Sequence, residues 1–104
     1  MRLMRRKILS SYFQAKGKFD FELTIKLLLS KNKQIDDKMK QEMTNMTLNE
    51  LSILRNSIYA SYGREFKTNW LQIIFDIQPW YKMGGFSEDK LTEIDRQNIK
   101  IIME

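Results

Sequence analysis

Proton transfer in this chain would have to run through carboxylates, lysines, tyrosines and serines, because the sequence holds no histidine and no cysteine. That removes the commonest general base and metal ligand, together with thiolate nucleophiles, disulfides and zinc–thiolate sites. The remaining groups do not fall into catalytic spacings. Asp36 with Asp37, and Glu88 with Asp89, are sequence neighbours, and neighbours on a helix point to different azimuths. No Asp-rich calcium loop occurs, and Gly84 with Gly85 follows no strand and lacks the pattern of a phosphate-cradling loop. The serines have neither a histidine nor a serine–lysine motif to activate them. The sequence reads as that of a non-enzyme, with no cofactor and no metal site.

Contact chemistry is better supplied. Trp80 and Tyr81 follow Pro79, with Gly84 and Gly85 close behind. Aromatic side chains in such a loop could stack on sugars or peptides. The competing reading is that Trp80 plugs the gap between helices, and the apolar area of a tryptophan favours it. Tyr59 and Tyr62 lie three residues apart, so they are neighbours on a helix. With Arg64 they could form a small polar–aromatic patch, Tyr59 straddling the edge of the core and Tyr62 exposed. The candidate binding surface is therefore Tyr59, Tyr62, Arg64, Trp80 and Tyr81. Arg55 is expected to pair with Glu93 or Asp95, as a structural ion pair rather than an anion site.

These side chains need helices to hold them. Thr47 stands three residues before Glu50, the capping-box spacing, and Met46 and Leu51 flank it as a hydrophobic staple. Leu48, Leu51, Leu54 and Ile58 recur at helical spacing, and Gly63 suits the left-handed residue that ends a helix. A helix is expected from about Leu48 to Tyr62. A second starts near Thr68 or Asn69, carries Trp70, Leu71, Ile74, Phe75 and Ile77, and stops before Pro79. A third opens at Ser87, with Glu88 and Asp89 in its first turn and Phe86 and Leu91 as a staple. Leu91, Ile94, Asn98, Ile101 and Ile102 form its apolar face. Asn98 is polar on that face, so its amide is expected to tie down loop backbone.

The N-terminal part is basic. Residues 1–43 hold 11 Lys/Arg against 5 Asp/Glu, whereas residues 44–104 hold 7 against 8. Arg2, Arg5, Arg6 and Lys7 form a basic patch that could meet phosphates or anionic lipid, although a solvated tail is the better reading. The same cluster begins like a signal peptide, but Ser10, Ser11 and Gln14 interrupt the apolar stretch that must follow. No run approaches the roughly 20 residues that span a bilayer. The expectation is a chain neither exported nor inserted, or a fragment without its leader. Phe19, Phe21, Leu23 and Ile25 alternate as a strand would. Phe21, Ile25, Leu28 and Leu29 also fit a helical face, which is preferred because a lone strand has nothing to pair with. Ile35, Met39, Met43 and Met46 form a further helical stripe, with Lys31, Asn32 and Lys33 as the turn before it.

The segment Tyr59-Ala60-Ser61-Tyr62-Gly63 resembles the Y-A-R-H-G signature of the YARHG domain family. The likeness extends from Leu51 through Leu54-Arg55-Asn56-Ser57-Ile58, then Phe66, Leu71, Phe75, Trp80-Tyr81, Phe86, Leu91 and Asn98, covering roughly residues 46–102. Ser61 stands where the signature has Arg, and Tyr62 where it has His, so no role of that cation or imidazole transfers. The resemblance implies a small bacterial domain, presumed extracellular, found in envelope lipoproteins and beside peptidase domains, with no catalytic role to carry over.

The expected fold is all-α, with a basic helical extension over 1–45 and a three-helix YARHG-like module over 46–104. The extension supplies one or two N-terminal helices. The expected function is a non-catalytic binding or accessory module contacting a protein or cell-envelope component. Two alternatives remain: a nucleic-acid or anionic-membrane binder acting through residues 1–18, and a fragment of a larger envelope protein or peptidase. The resemblance points to the cell envelope, and the missing leader to the cytoplasm.

Overall fold

The computed structural model describes residues 27, 28 and 30–103. The expectations for residues 1–26, including the Phe19–Ile25 segment and the Arg2, Arg5, Arg6 and Lys7 patch, lie outside them. Among the described residues the fold is helical with no strand. Four α-helices follow in order: α1 (Asp37–Met43), α2 (Leu48–Ala60), α3 (Asn69–Asp76) and α4 (Glu93–Met103), with a short 3-10 turn (Glu88–Lys90) before α4.

Local contacts fix the starts of α1 and α2. A turn over Lys31–Lys33, closed by the Lys33 N–H on the Ser30 carbonyl at 2.7 Å, delivers the chain to Asp36. The Asp36 carboxylate accepts the Met39 N–H at 2.9 Å and caps α1. The Thr47 hydroxyl accepts the Glu50 N–H at 3.1 Å, and the Glu50 carboxylate accepts the Thr47 N–H at 2.8 Å. This is the expected capping box of α2, and it satisfies two donors that a helix end leaves open. Thr68 precedes α3 but gives it no side-chain cap. Pro79 follows shortly after α3, and the Gln78 amide donates back to the Ile74 carbonyl at 3.0 Å.

The last helix starts later than its sequence implied. Ser87 opens only the 3-10 turn, and Leu91 leaves that turn in an extended conformation. Leu91 is buried, so the core holds the chain stretched there. The helix then starts afresh at a second reciprocal cap. Thr92 Oγ1 accepts the Asp95 N–H, and Asp95 Oδ2 accepts the Thr92 N–H, both at 3.0 Å. Thr92-Glu93-Ile94-Asp95 has the spacing of a capping box. It was the stronger signal, and Ser87 the weaker one. Phe86 and Leu91 both pack on the core, but they do not bracket a helix start.

Packing centres on α2, which contacts both α3 and α4. Its apolar residues divide between two faces. Ile53 and Ala60 join Phe66, Leu71, Ile74 and Phe75 in one cluster. Leu54 and Ile58 join Leu27, Ile35, Met43, Leu91, Ile99 and Ile102 in the other. A fully buried side chain of this size contributes about 1.5–3 kcal/mol, so a helix buried on two faces is the chief organiser of a small core. Ser57 is fully buried, and its hydroxyl is satisfied by the Ile53 carbonyl at 2.7 Å. Met46 and Leu51 pack on the second cluster, as does Met39.

Asn98 fastens the segment before α1 to α4. Its side-chain oxygen accepts the Ile35 N–H at 2.8 Å, and its amide donates to the Lys33 carbonyl at 3.0 Å. The expected loop-tying role is what the side chain performs. Leu27, Ile35 and Met43, all ahead of Met46, share the core with α2 and α4.

Candidate functional site

The Tyr59–Gly63 segment is the end of α2. The Gly63 N–H bonds the Ala60 carbonyl at 2.9 Å and the Arg64 N–H bonds the Tyr59 carbonyl at 3.3 Å. Together these are the five-to-two and six-to-one bonds of a Schellman ending, with Gly63 as its left-handed residue. Gly63 has φ +90, as the sequence implied. It also meets a second demand. The Gly84 N–H donates to the Gly63 carbonyl at 2.7 Å. A Cβ on Gly63 would lie 2.2 Å from the Gly84 carbonyl oxygen and 2.9 Å from that of Lys82. The end of α2 is therefore docked directly on the loop that follows Trp80 and Tyr81. Ala60 is buried at the same joint.

This joint places Arg64 among aromatic rings. Its guanidinium carbon lies 4.6 Å from the centre of Tyr59, 5.6 Å from Phe86 and 5.9 Å from Phe66. Those are cation–π distances. Tyr59 meets Phe86 edge-on at 5.8 Å. The Tyr81 hydroxyl donates to the Arg64 carbonyl at 2.7 Å. Gln72 links Tyr81 back to α3: its amide reaches the Tyr81 hydroxyl at 3.2 Å and Asp76 at 2.7 Å, while its oxygen accepts the Phe66 N–H at 2.7 Å. Trp80 packs edge-on against Phe75 at 6.0 Å and against Tyr81 at 6.4 Å. Trp80 and Tyr81 are half-buried and pack against the first cluster, so each is part of the core's edge and remains partly exposed.

Tyr62 turns elsewhere. Its hydroxyl donates to the Asp95 carboxylate at 2.5 Å, and the Lys31 ammonium sits 4.0 Å above its ring. It is half-buried rather than exposed. Burial first, and then the hydrogen bond and charge of Asp95, push the Tyr62 phenol up to about 12. Burial pulls the Lys31 ammonium below its ordinary value, partly offset by Asp95. Asp95, 2% exposed, thus joins the end of α2 to the start of α4 through Tyr62 and its own cap. Sequence reasoning missed this link, whose only advance sign was the capping spacing at Thr92. The Asp95 carboxylate is held by Tyr62 and Thr92 and not by Arg55. Among the described residues no ion pair joins Arg55 to Glu93 either, which corrects the pairing expected for that guanidinium.

Of the five candidate surface residues, then, the structure gathers Tyr59, Arg64, Trp80 and Tyr81 around one joint and sends Tyr62 to a different set of partners. Among the described residues no group of carboxylates is arranged to hold a metal ion, and no helix is long and apolar enough to cross a membrane.

A small all-α domain, with a Tyr-Ala-x-x-Gly helix ending locked on an aromatic loop, is the class these features define. The YARHG domain family profile matches residues 25–104. The chain belongs to that family, and the match begins ahead of Met46, taking in the Leu27–Met43 residues that share the core. No curated protein and no solved structure matches the chain.

Proposed function

We propose that this domain is a non-catalytic binding or accessory module that contacts a protein or another component of the cell envelope. The observation that carries the reading is the state of Arg64. Its guanidinium is held by three rings, its backbone carbonyl is held by Tyr81, which packs against Trp80, and it remains partly exposed. A cation and aromatic edges fixed in advance lose little side-chain freedom when a partner arrives. Arginine, tryptophan and tyrosine are also the residue types that dominate binding hot spots.

Proton chemistry has little to draw on here. The chain has no histidine or cysteine, and the phenol nearest a carboxylate is shifted away from neutral pH. The YARHG family is in general a non-catalytic one, which supports the same reading. The family resemblance is what supports an envelope location.

The test is retention of the purified protein on insoluble peptidoglycan, compared with immobilised nucleic acid at the same salt concentration. Retention on peptidoglycan that persists as salt rises, and that weakens in Arg64→Ala, is the expected result. Binding to nucleic acid alone, lost steeply with salt, would instead favour the basic N-terminal patch. No retention on peptidoglycan would remove the envelope component from the reading.

A further inference from the structure

Beside the Arg64 joint, a groove of about 540 Å³ runs between the outer face of α2 and the start of α3. That volume lies within the roughly 300–1,000 Å³ usual for ligand sites. Arg55, Arg64 and Lys67 line it against a single carboxylate, Glu65. Among the described residues no carboxylate pairs with Arg55. The groove also holds a polar group left half-satisfied. Asn56 is 7% exposed, and its amide nitrogen donates to the Ser52 carbonyl at 2.8 Å and to the Ser52 hydroxyl at 3.3 Å. Among the described residues nothing donates to its side-chain oxygen. That oxygen is open to solvent rather than buried without a partner, so an N–H group of a visiting molecule has an acceptor to meet there.

A smaller hollow of about 190 Å³ adjoins the groove at Arg55. Ser52 and Arg55 line both, and Leu48, Leu51, Ile102 and Met103 line the second. Leu48 is 85% and Met103 64% exposed. Side by side on α2, the hollow and the groove make a trough with an apolar end, a guanidinium shared at the middle and a cationic end with a solvent-open carbonyl acceptor.

We infer that this trough binds an acidic peptide segment, with an apolar side chain in the Leu48–Met103 hollow and carboxylates beside Arg55 and Lys67. The polarity matches a peptide better than a bare anion. A peptide brings backbone N–H groups for the Asn56 oxygen, and an apolar side chain for the hollow, which phosphate has no means to fill. Arg55 offers the planar fork that suits a carboxylate, and Lys67 adds a flexible point charge. This assignment rests on the binding-module reading and names the chemistry of its partner.

The test uses the full chain and a fluorescently labelled, N-acetylated, C-amidated peptide carrying one leucine flanked by glutamates, titrated by fluorescence anisotropy. Binding to the wild type is expected. It should weaken about tenfold or more when glutamines replace the peptide's glutamates, and about tenfold in the double variant Arg55→Gln, Lys67→Gln with an unchanged melting temperature. The glutamine peptide leaves the protein untouched, so the result stands even if the double variant is unstable. Replacing the peptide's leucine by serine should also weaken binding. Equal affinity for the glutamate and glutamine peptides, absence of binding to the wild type, or competition by inorganic phosphate at the peptide's own affinity would each overturn the assignment. Retention on peptidoglycan separates the two levels of the argument. A wild type that is retained but shows no glutamate-dependent peptide binding defeats the trough and leaves the binding module standing.

Discussion

Replacing Gly63 by alanine should destabilise this domain more than the same change at Gly85, although the two glycines have nearly the same φ. Their φ values are +90 and +80, so each alanine would carry a similar left-handed strain of about 1–2 kcal/mol. The surroundings differ. A Cβ at Gly85 would have one neighbour, the far end of the Lys90 side chain at 3.6 Å, which is ordinary contact. A Cβ at Gly63 would meet the backbone oxygens of Gly84 at 2.2 Å and Lys82 at 2.9 Å. Backbone in a docked loop has no rotamer to escape into, so the loop must move. That movement breaks the Gly84 N–H bond to the Gly63 carbonyl, now 2.7 Å, at about 1 kcal/mol, and loosens the packing beneath it. The total for Gly63→Ala is about 2–4 kcal/mol, against about 1–2 for Gly85→Ala. Urea denaturation followed by circular dichroism measures both. In thermal melts each kcal/mol is worth about 4–8 °C for a domain of this size. If the two variants agree within about 0.5 kcal/mol, the close docking of Gly63 on the Lys82–Gly84 loop is wrong.

Three further expectations concern the other fastenings. Asn98→Leu should cost about 2–3 kcal/mol, because it leaves the buried Ile35 N–H and the Lys33 carbonyl without partners; denaturation measures the cost, and amide exchange at Ile35 should speed up with it. Tyr62→Phe should cost about 1 kcal/mol near neutral pH through loss of the Asp95 bond. The Tyr62 phenol is raised from 10.0 to about 12 in the folded protein. Its contribution is therefore fully present below pH 10.0 and lost as pH rises through about 12, so the wild type should lose stability more steeply than the variant across that window. Thr92→Ala should cost about 1 kcal/mol by removing the cap of α4, whereas Ser87→Ala should be near neutral; equal costs at the two positions would mean that the helix starts where the sequence first implied.

The parts of the fold legible in advance were those fixed by local chemistry. Thr47 and Glu50 announce α2 because a capping box is a contact between residues three apart, and Gly63 announces its end because few residues accept that backbone. Asn98 was legible for another reason: a polar side chain on an apolar face must find partners, and only backbone was at hand. Ser87 misled because serine before two carboxylates is also a cap signal. What decided between it and Thr92 was the burial of Leu91, a fact about the whole core rather than the neighbouring residues. The candidate surface divided in the same way. Arg64 next to tyrosines suggested a cation among rings, but Phe66 and Phe86 joined that setting only through folding. The Asp95 partner of Tyr62 lies 33 positions away, and no spacing rule reaches that far. The Arg55 pairing failed for a related reason. Both carboxylates proposed for it sit in the first turn of α4, and Asp95 there is already engaged by its own helix and by Tyr62.

Amide hydrogen exchange at Gly84 reads the joint between the signature segment and the aromatic loop most directly. Gly84 lies in a loop and is exposed as a residue, yet its N–H is bonded to the Gly63 carbonyl. Protection of that amide comparable to the Leu54 and Ile58 amides of α2, lost together with them as denaturant rises, is the predicted result. Exchange at the rate of the neighbouring loop amides, with α2 still protected, would show that the helix end is not fastened there and would contradict the structural role assigned to the signature.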